Sequence, residues 1–282
     1  MQALANIVGR IYKNREREVD PTAIKCDLEN LNHVLSGGFS KGNLYIIAGK
    51  ESVGKTSFMV SLLADIIHND NTSDRAGVIA LNVSEERWMA RLLSNLSEVS
   101  LNVIWTGRVL YEETKKIVKA ATLPEFDKIE ISSPGYMTME QLIKICTDWV
   151  INKSVKILFI DHMKLISCDP LDNDQLRIYE IAKALKKLSV DLNVPIVTLI
   201  PIESTKRVTG LKDLRRIGAV ETFADVILFI NKHLKNFDDE PYGGVAYVCI
   251  EKNTTGSLDI LTLRPLLHIQ KFVEHEDWNS FS

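Results

Sequence analysis

Short apolar runs alternate along the chain with longer stretches whose apolar residues recur every three or four positions. Asn43–Gly49 (NLYIIAG), Gly77–Val83 (GVIALNV), Val155–Asp161 (VKILFID), Pro195–Ile200 (PIVTLI) and Ala224–Ile230 (ADVILFI) have the length and the unbroken apolar character of strands buried on both faces. Between them lie TSFMVSLLADIIHN, SEERWMARLLSNLS, MEQLIKICTDWVINK and QLRIYEIAKALKKLSVDLN, all with helical spacing. The third should bury Leu142, Ile143, Cys146 and Val150. The fourth should bury Ile178, Ile181, Leu185, Leu188 and Leu192, with Lys183, Lys186 and Lys187 on its solvated face. Near the end, GVAYVCIEKN and SLDILTLRP flank Thr254-Thr255-Gly256 and read as a hairpin. Strand–helix alternation with continuous apolar strands predicts an α/β domain, a mostly parallel sheet covered on both faces and closed by an antiparallel hairpin.

The domain is expected to span residues 27–282. Residues 1–26 precede it: a helix from Met1 to about Arg17, with Ile7 and Ile11 on one side, then a linker in which Asp20-Pro21 disfavours helix. No internal repeat or low-complexity tract interrupts the pattern.

Composition narrows the class without changing this picture. The 282 residues are 45% hydrophobic and 25% charged, ordinary for a globular chain with a full core. The net charge of −3 removes a basic footprint at whole-chain level, so polyanion binding would need local patches. No apolar run reaches the ~18 residues of a membrane span, and the N-terminus lacks a signal-peptide core. Cys26, Cys146, Cys168 and Cys249 are widely spaced, as expected of reduced thiols in a cytoplasmic protein.

The chemistry begins at AGKESVGKTSF. Gly49, Gly54, Lys55 and Thr56 fill the pattern G-x-x-x-x-G-K-[ST], between an expected strand and an expected helix. The glycines let a loop wrap phosphates with its N–H groups turned inward, and the helix N-terminus adds partial positive charge. Contacts to ATP are expected along Ser52, Val53, Gly54, Lys55, Thr56 and Ser57. Lys55 suits the β- and γ-phosphates, and Thr56 suits Mg²⁺. Asp161 ends a buried strand, where a phosphate-loop enzyme holds its Mg²⁺; a helix cap is the plainer alternative. His162 follows it, with packing or nucleotide contact both open.

Four stretches together resemble a known family: DLENLNHVLSGGFSKGNLYIIAGKESVGKTSF, ILFIDHMKLI, LNVPIVTLI and DLRRIGAVETFADVILFI. They look like the C-terminal motor domain of DnaB-type replicative DNA helicases, which has the RecA-like fold. The resemblance runs from about Asp27 to the C-terminal hairpin. It implies a hexameric ring of copies, ATP between subunits, single-stranded DNA in the centre, and a primase or helicase loader as partner. It also implies that the first helix docks on a neighbouring subunit. The family's separate N-terminal domain has no counterpart among these residues.

Carried over residue by residue, Gly49, Gly54, Lys55, Thr56 and Asp161 match, while three hydrolysis positions depart. The family's catalytic glutamate falls on Asn82, and an amide cannot take a proton from water as a carboxylate does. Glu85, or Glu86 beside it, is the nearest substitute. The γ-phosphate-sensing glutamine falls on Pro201, which has no side-chain donor. Lys252 matches the hairpin lysine that reaches a neighbour's nucleotide, but the arginine beside it is Thr254. Two readings stand: an ATP-driven helicase motor, and a nucleotide-binding structural or regulatory relative with little or no turnover. The segment Glu203–Gly218 carries Lys206, Arg207, Lys212, Arg215 and Arg216. It corresponds to loops that line the channel in the family, so it is expected to touch the DNA backbone. Trp88, Trp105 and Trp149 are expected in core or interface.

Overall fold

The computed structural model describes residues 20, 22–68, 74–168, 173–204, 208–232 and 244–275. The expected N-terminal helix lies outside them. The elements are α1 (Glu29–Val34), β1 (Leu44–Gly49), α2 (Lys55–His68), β2 (Arg75–Ala80), α3 (Glu85–Ser97), α4 (Leu101–Thr106), α5 (Tyr111–Ala121), β3 (Ile129–Ser132), β4 (Met137–Thr138), α6 (Met139–Asn152), β5 (Val155–Asp161), β6 (Ile166–Ser167), α7 (Asp174–Leu192), β7 (Ile196–Pro201), α8 (Leu211–Gly218), β8 (Val226–Lys232), β9 (Ala246–Asn253), β10 (Asp259–Leu266) and β11 (Lys271–Glu274).

Nine of these strands form one sheet in the order β11-β10-β9-β8-β1-β7-β5-β2-β3. From β8 to β3 every pairing is parallel. The β9–β10 hairpin and β11 continue the sheet in antiparallel fashion. The fold class is therefore the expected one, and β11, β3 and helices α4 and α5 extend it beyond what the apolar pattern marks.

Alternation along β1 divides the core. Tyr45 and Ile47 face a cluster with Phe58, Trp88 and Phe272 on the side of α2 and α3. Leu44, Ile46 and Ala48 face a second cluster with Leu142, Ile181 and Leu185 on the side of α6 and α7. All six residues of β1 are buried, which is why its sequence reads as an unbroken apolar run.

Two expectations need correction. In α6 the buried stripe is Met139, Leu142, Cys146 and Trp149, while Ile143 is exposed, because the stripe follows steps of three and four that begin at Met139. Lys186 is only partly exposed: its Nζ donates to Gly42 O at 2.8 Å and Asp225 Oδ2 at 2.7 Å, clasping α7 to the approach to β1. Of the tryptophans, Trp88 and Trp149 are core and Trp105 is half exposed, outside it.

Candidate functional site

The parallel strands β1, β7, β5 and β2 end along one edge of the sheet, where α/β folds open a crevice for ligands. Their register fixes which residues meet there. Gly49 pairs with Pro201, and Ala80 pairs with Asp161. The loop after β1 turns into α2 at Lys55. Gly54 has φ +102, a conformation that strains any L side chain, and a Cβ there would also stand 2.9 Å from Leu267 Cδ2, so glycine suits the loop where it closes against its backing. At Gly49 a Cβ would lie 2.8 Å from Ile230 O.

Lys55 is buried, and its Nζ donates to Gly49 O at 2.9 Å and Lys50 O at 2.6 Å, so the ammonium sits inside the curl of the loop. Burial pushes its pKa down to about 8, while Asp161 and Glu51 favour the charged form and Lys164 opposes it. Thr56 Oγ1 donates to Asp161 Oδ2 at 3.0 Å. Asp161 is 4% exposed. Burial raises its pKa, and the Thr56 hydrogen bond, Arg91 and Lys55 draw it back. One hydroxyl and one carboxylate held together against a buried lysine make a hard-oxygen donor pair of the kind Mg²⁺ prefers. Of the other loop residues, Val53 is buried, Ser52 adopts φ 59, and Ser57 Oγ donates to Gln270 Oε1 at 2.9 Å, turned away from the loop's mouth.

Arg91 is the residue that sequence reasoning missed. It lies on α3, partly buried, and its charge and that of Asp161 each favour the other's ionised form. Its Nη1 donates to Gln270 Oε1 at 2.7 Å. No local pattern marked it, because the apolar residues next to it in sequence, Ala90 and Leu92, point to other sides of the helix. His162 is half-buried, its pKa pushed down to about 4 by burial and by Lys55 and Lys164, so it is neutral near pH 7. Its Nδ1 is buried and makes no hydrogen bond.

The hydrolysis positions stand as follows. Asn82 is exposed, two residues past the Ala80 that pairs with Asp161, which keeps it at the strand end. Ser84 caps α3 by accepting from Arg87 N at 3.3 Å, and Glu85 is the exposed first residue of that helix. Glu85 makes no hydrogen bond or ion pair with Lys55, Thr56 or Asp161. Pro201 lies beside the phosphate loop, and the next residue donates from Ile202 N to Gly49 O at 2.9 Å. Lys252 Nζ donates to Glu221 O and Ala224 O, both at 2.7 Å, so within this chain the ammonium is spent on carbonyls. Thr254 is exposed in the turn after β9.

The basic segment is partly visible. Lys206 and Arg207 lie outside the described residues. Lys212, Arg215 and Arg216 sit on α8 at i, i+3 and i+4, all exposed on one face. Arg215 pairs with Glu221 at 3.0 Å. Glu251 Oε2 accepts from Leu211 N at 2.8 Å, bracing the start of α8 against β9.

The family described as "DnaB-like helicase C terminal domain" matches residues 23–274. The chain belongs to that family. It is similar to a probable plasmid replicative DNA helicase of Chlamydia psittaci, 31% identical over 247 residues that cover 85% of this chain and 53% of the relative. It is also similar to replicative DNA helicase DnaB of Helicobacter pylori, 27% identical over 238 residues, 81% of this chain and 48% of the relative. The chain thus spans about half the length of these relatives. Among solved structures, an ATPase domain superposes with a TM-score of 0.85 at 21% identity, covering 98% of both chains. A DnaB-like replicative helicase, solved with attention to its interactions with primase, superposes with a TM-score of 0.84 at 20% identity, covering 96% of this chain and 66% of the other. These likenesses carry the RecA-like fold of the DnaB family. No helix among the described residues is long and apolar enough to cross a membrane.

Proposed function

We propose that the chain is the ATP-driven motor of a DnaB-like helicase, binding Mg·ATP at the loop Gly49–Ser57 and moving along single-stranded DNA within a ring of copies. The convergence of Lys55, Thr56 and Asp161 on one sheet edge carries this reading. Loop N–H groups and the start of α2 receive phosphate oxygens. Lys55 exchanges its two carbonyl partners for β- and γ-phosphate oxygens, and the gained anion restores the charged form that burial disfavours. Thr56 and Asp161 hold Mg²⁺, which when bound neutralises phosphate charge during phosphoryl transfer. Arg91 adds a second cation from the same chain. Lys212, Arg215 and Arg216 meet the DNA backbone without reading sequence. A primase or helicase loader as partner belongs to the same proposal.

A second reading, a relative that binds ATP and holds a shape without turnover, is favoured by Asn82, Pro201 and Thr254, none of which supplies a base or a cation. Titration of the wild-type chain and Lys55→Ala with a fluorescent ATP analogue tests the binding site that both readings share. Wild type binds and the variant does not; equal affinity for both would remove the phosphate-loop assignment.

A further inference from the structure

The turn between β10 and β11 crosses behind the phosphate loop, and its last residue, Gln270, touches both helices that frame the site. Gln270 is 5% exposed and adopts φ 56, a left-handed conformation uncommon outside Gly, Asn and Asp. Its backbone is held from both sides: Gln270 N donates to Leu267 O at 3.2 Å, and Asn95 Nδ2 of α3 donates to Gln270 O at 2.8 Å. Both ends of its amide are engaged. Oε1 accepts from Arg91 Nη1 at 2.7 Å and from Ser57 Oγ at 2.9 Å, and Nε2 donates to Leu267 O at 2.6 Å. A guanidinium only donates, so this amide has one permitted orientation.

The surrounding contacts make the turn a rigid support. Phe272 N donates to Ser61 Oγ at 3.1 Å, Phe272 stacks edge-on against Phe58 with ring centroids 5.1 Å apart, and Lys271 pairs with Glu98 at 2.8 Å. The turn is thereby fixed to α2 through Ser57, Phe58 and Ser61, and to α3 through Arg91 and Asn95 and, at its C-cap, Glu98. Arg91 is a long side chain with several rotatable bonds, and the geometry that holds it is at Gln270, where its Nη1 ends; its charge is also felt at Asp161.

We propose that Gln270 is a positioning residue of the nucleotide site. It holds the Arg91 guanidinium toward Asp161 and the phosphates, and ties it to the first turn of the phosphate-loop helix. This rests on the reading of the site as a Mg·ATP pocket. Gln270 acts through Arg91, so its effect on binding must vanish when Arg91 is absent.

Gln270→Asn suits the left-handed backbone but leaves the amide one methylene short of Arg91 and Ser57. Gln270→Glu keeps the reach and the accepting oxygen. Mg·ATP affinity is measured with a fluorescent analogue for the wild-type chain, both variants, Arg91→Ala and Arg91→Ala/Gln270→Asn, with melting temperatures alongside. The expected result is about a tenfold loss for Gln270→Asn, near-wild-type affinity for Gln270→Glu, and no further loss when Gln270→Asn is added to Arg91→Ala. Should Gln270→Asn not fold, Gln270→Met serves the same cycle, since it keeps length and removes the acceptor. An equal loss with and without Arg91 overturns the proposal, as does unchanged affinity in a folded Gln270 variant. Absence of Mg·ATP binding in the wild-type chain is a different failure, because it removes the pocket itself.

Discussion

Thr56 Oγ1 donates to Asp161 Oδ2 at 3.0 Å, joining the start of the phosphate-loop helix to the end of a strand 105 positions later. Parallel pairing of β1 with β7 and of β7 with β5 makes the meeting possible, because all three strands end at the same edge.

That pair is read as the Mg²⁺ ligand set. Asp161→Asn keeps the size of the side chain and an acceptor but removes the charge. ATP binding measured against Mg²⁺ concentration should then lose most of its Mg²⁺ dependence, while binding in a chelator should change little. A variant with the wild-type Mg²⁺ profile would exclude Asp161 as a ligand.

Asp65 lies on the buried side of α2, and its Oδ2 has no hydrogen-bond partner. Burial, with the charge of Asp27 nearby, pushes its pKa up to about 7. The folded value lies above the unfolded one of about 4, so the folded chain binds the extra proton between them and loses stability as pH rises through that window. Asp65→Asn should therefore be stabilising by on the order of 1–3 kcal/mol at pH 8 and close to neutral at pH 4. Denaturant unfolding at the two pH values gives the comparison, and a pH-independent difference would contradict it.

The exposed face of α8 should set part of the salt dependence of single-stranded DNA binding. Each phosphate contact contributes about −0.7 to the slope of log affinity against log salt. Replacing Lys212, Arg215 and Arg216 by alanine should flatten that slope by about 1 to 2. An unchanged slope would place the DNA elsewhere on the chain.

Lys252 gives a prediction of a different kind. Its ammonium satisfies the carbonyls of Glu221 and Ala224, which hold the turn before β8. Lys252→Ala should cost about 1–3 kcal/mol of stability in chemical denaturation, because two partly buried acceptors lose a charged donor. A variant as stable as wild type would free Lys252 for the role toward a neighbour's nucleotide that the family pattern suggests.

The parallel strands and the loop Gly49–Thr56 were legible because each depends on local pattern: apolar runs for the strands, glycine spacing for the loop. Asp161 was legible as an acid closing such a run. Arg91 and Gln270 were not, since their meaning arises only when α3 and the β10–β11 turn pack behind the loop, 179 positions apart in sequence. Ile143 misled because it sits one step from Leu142 on a helix whose buried stripe passes it by. Lys186 misled because a lysine among lysines looks solvated until its carboxylate partner, Asp225, arrives from another strand's approach.

We propose that this pocket turns ATP over for work on DNA. ATP hydrolysis at saturating Mg²⁺, with and without single-stranded DNA, tests it most directly. DNA-stimulated turnover at about 1 s⁻¹ or above, lost in Lys55→Ala, is the predicted result. Tight Mg·ATP binding with no turnover in either condition would contradict it, and would show that Asn82, Pro201 and Thr254 have left a site that holds ATP without spending it.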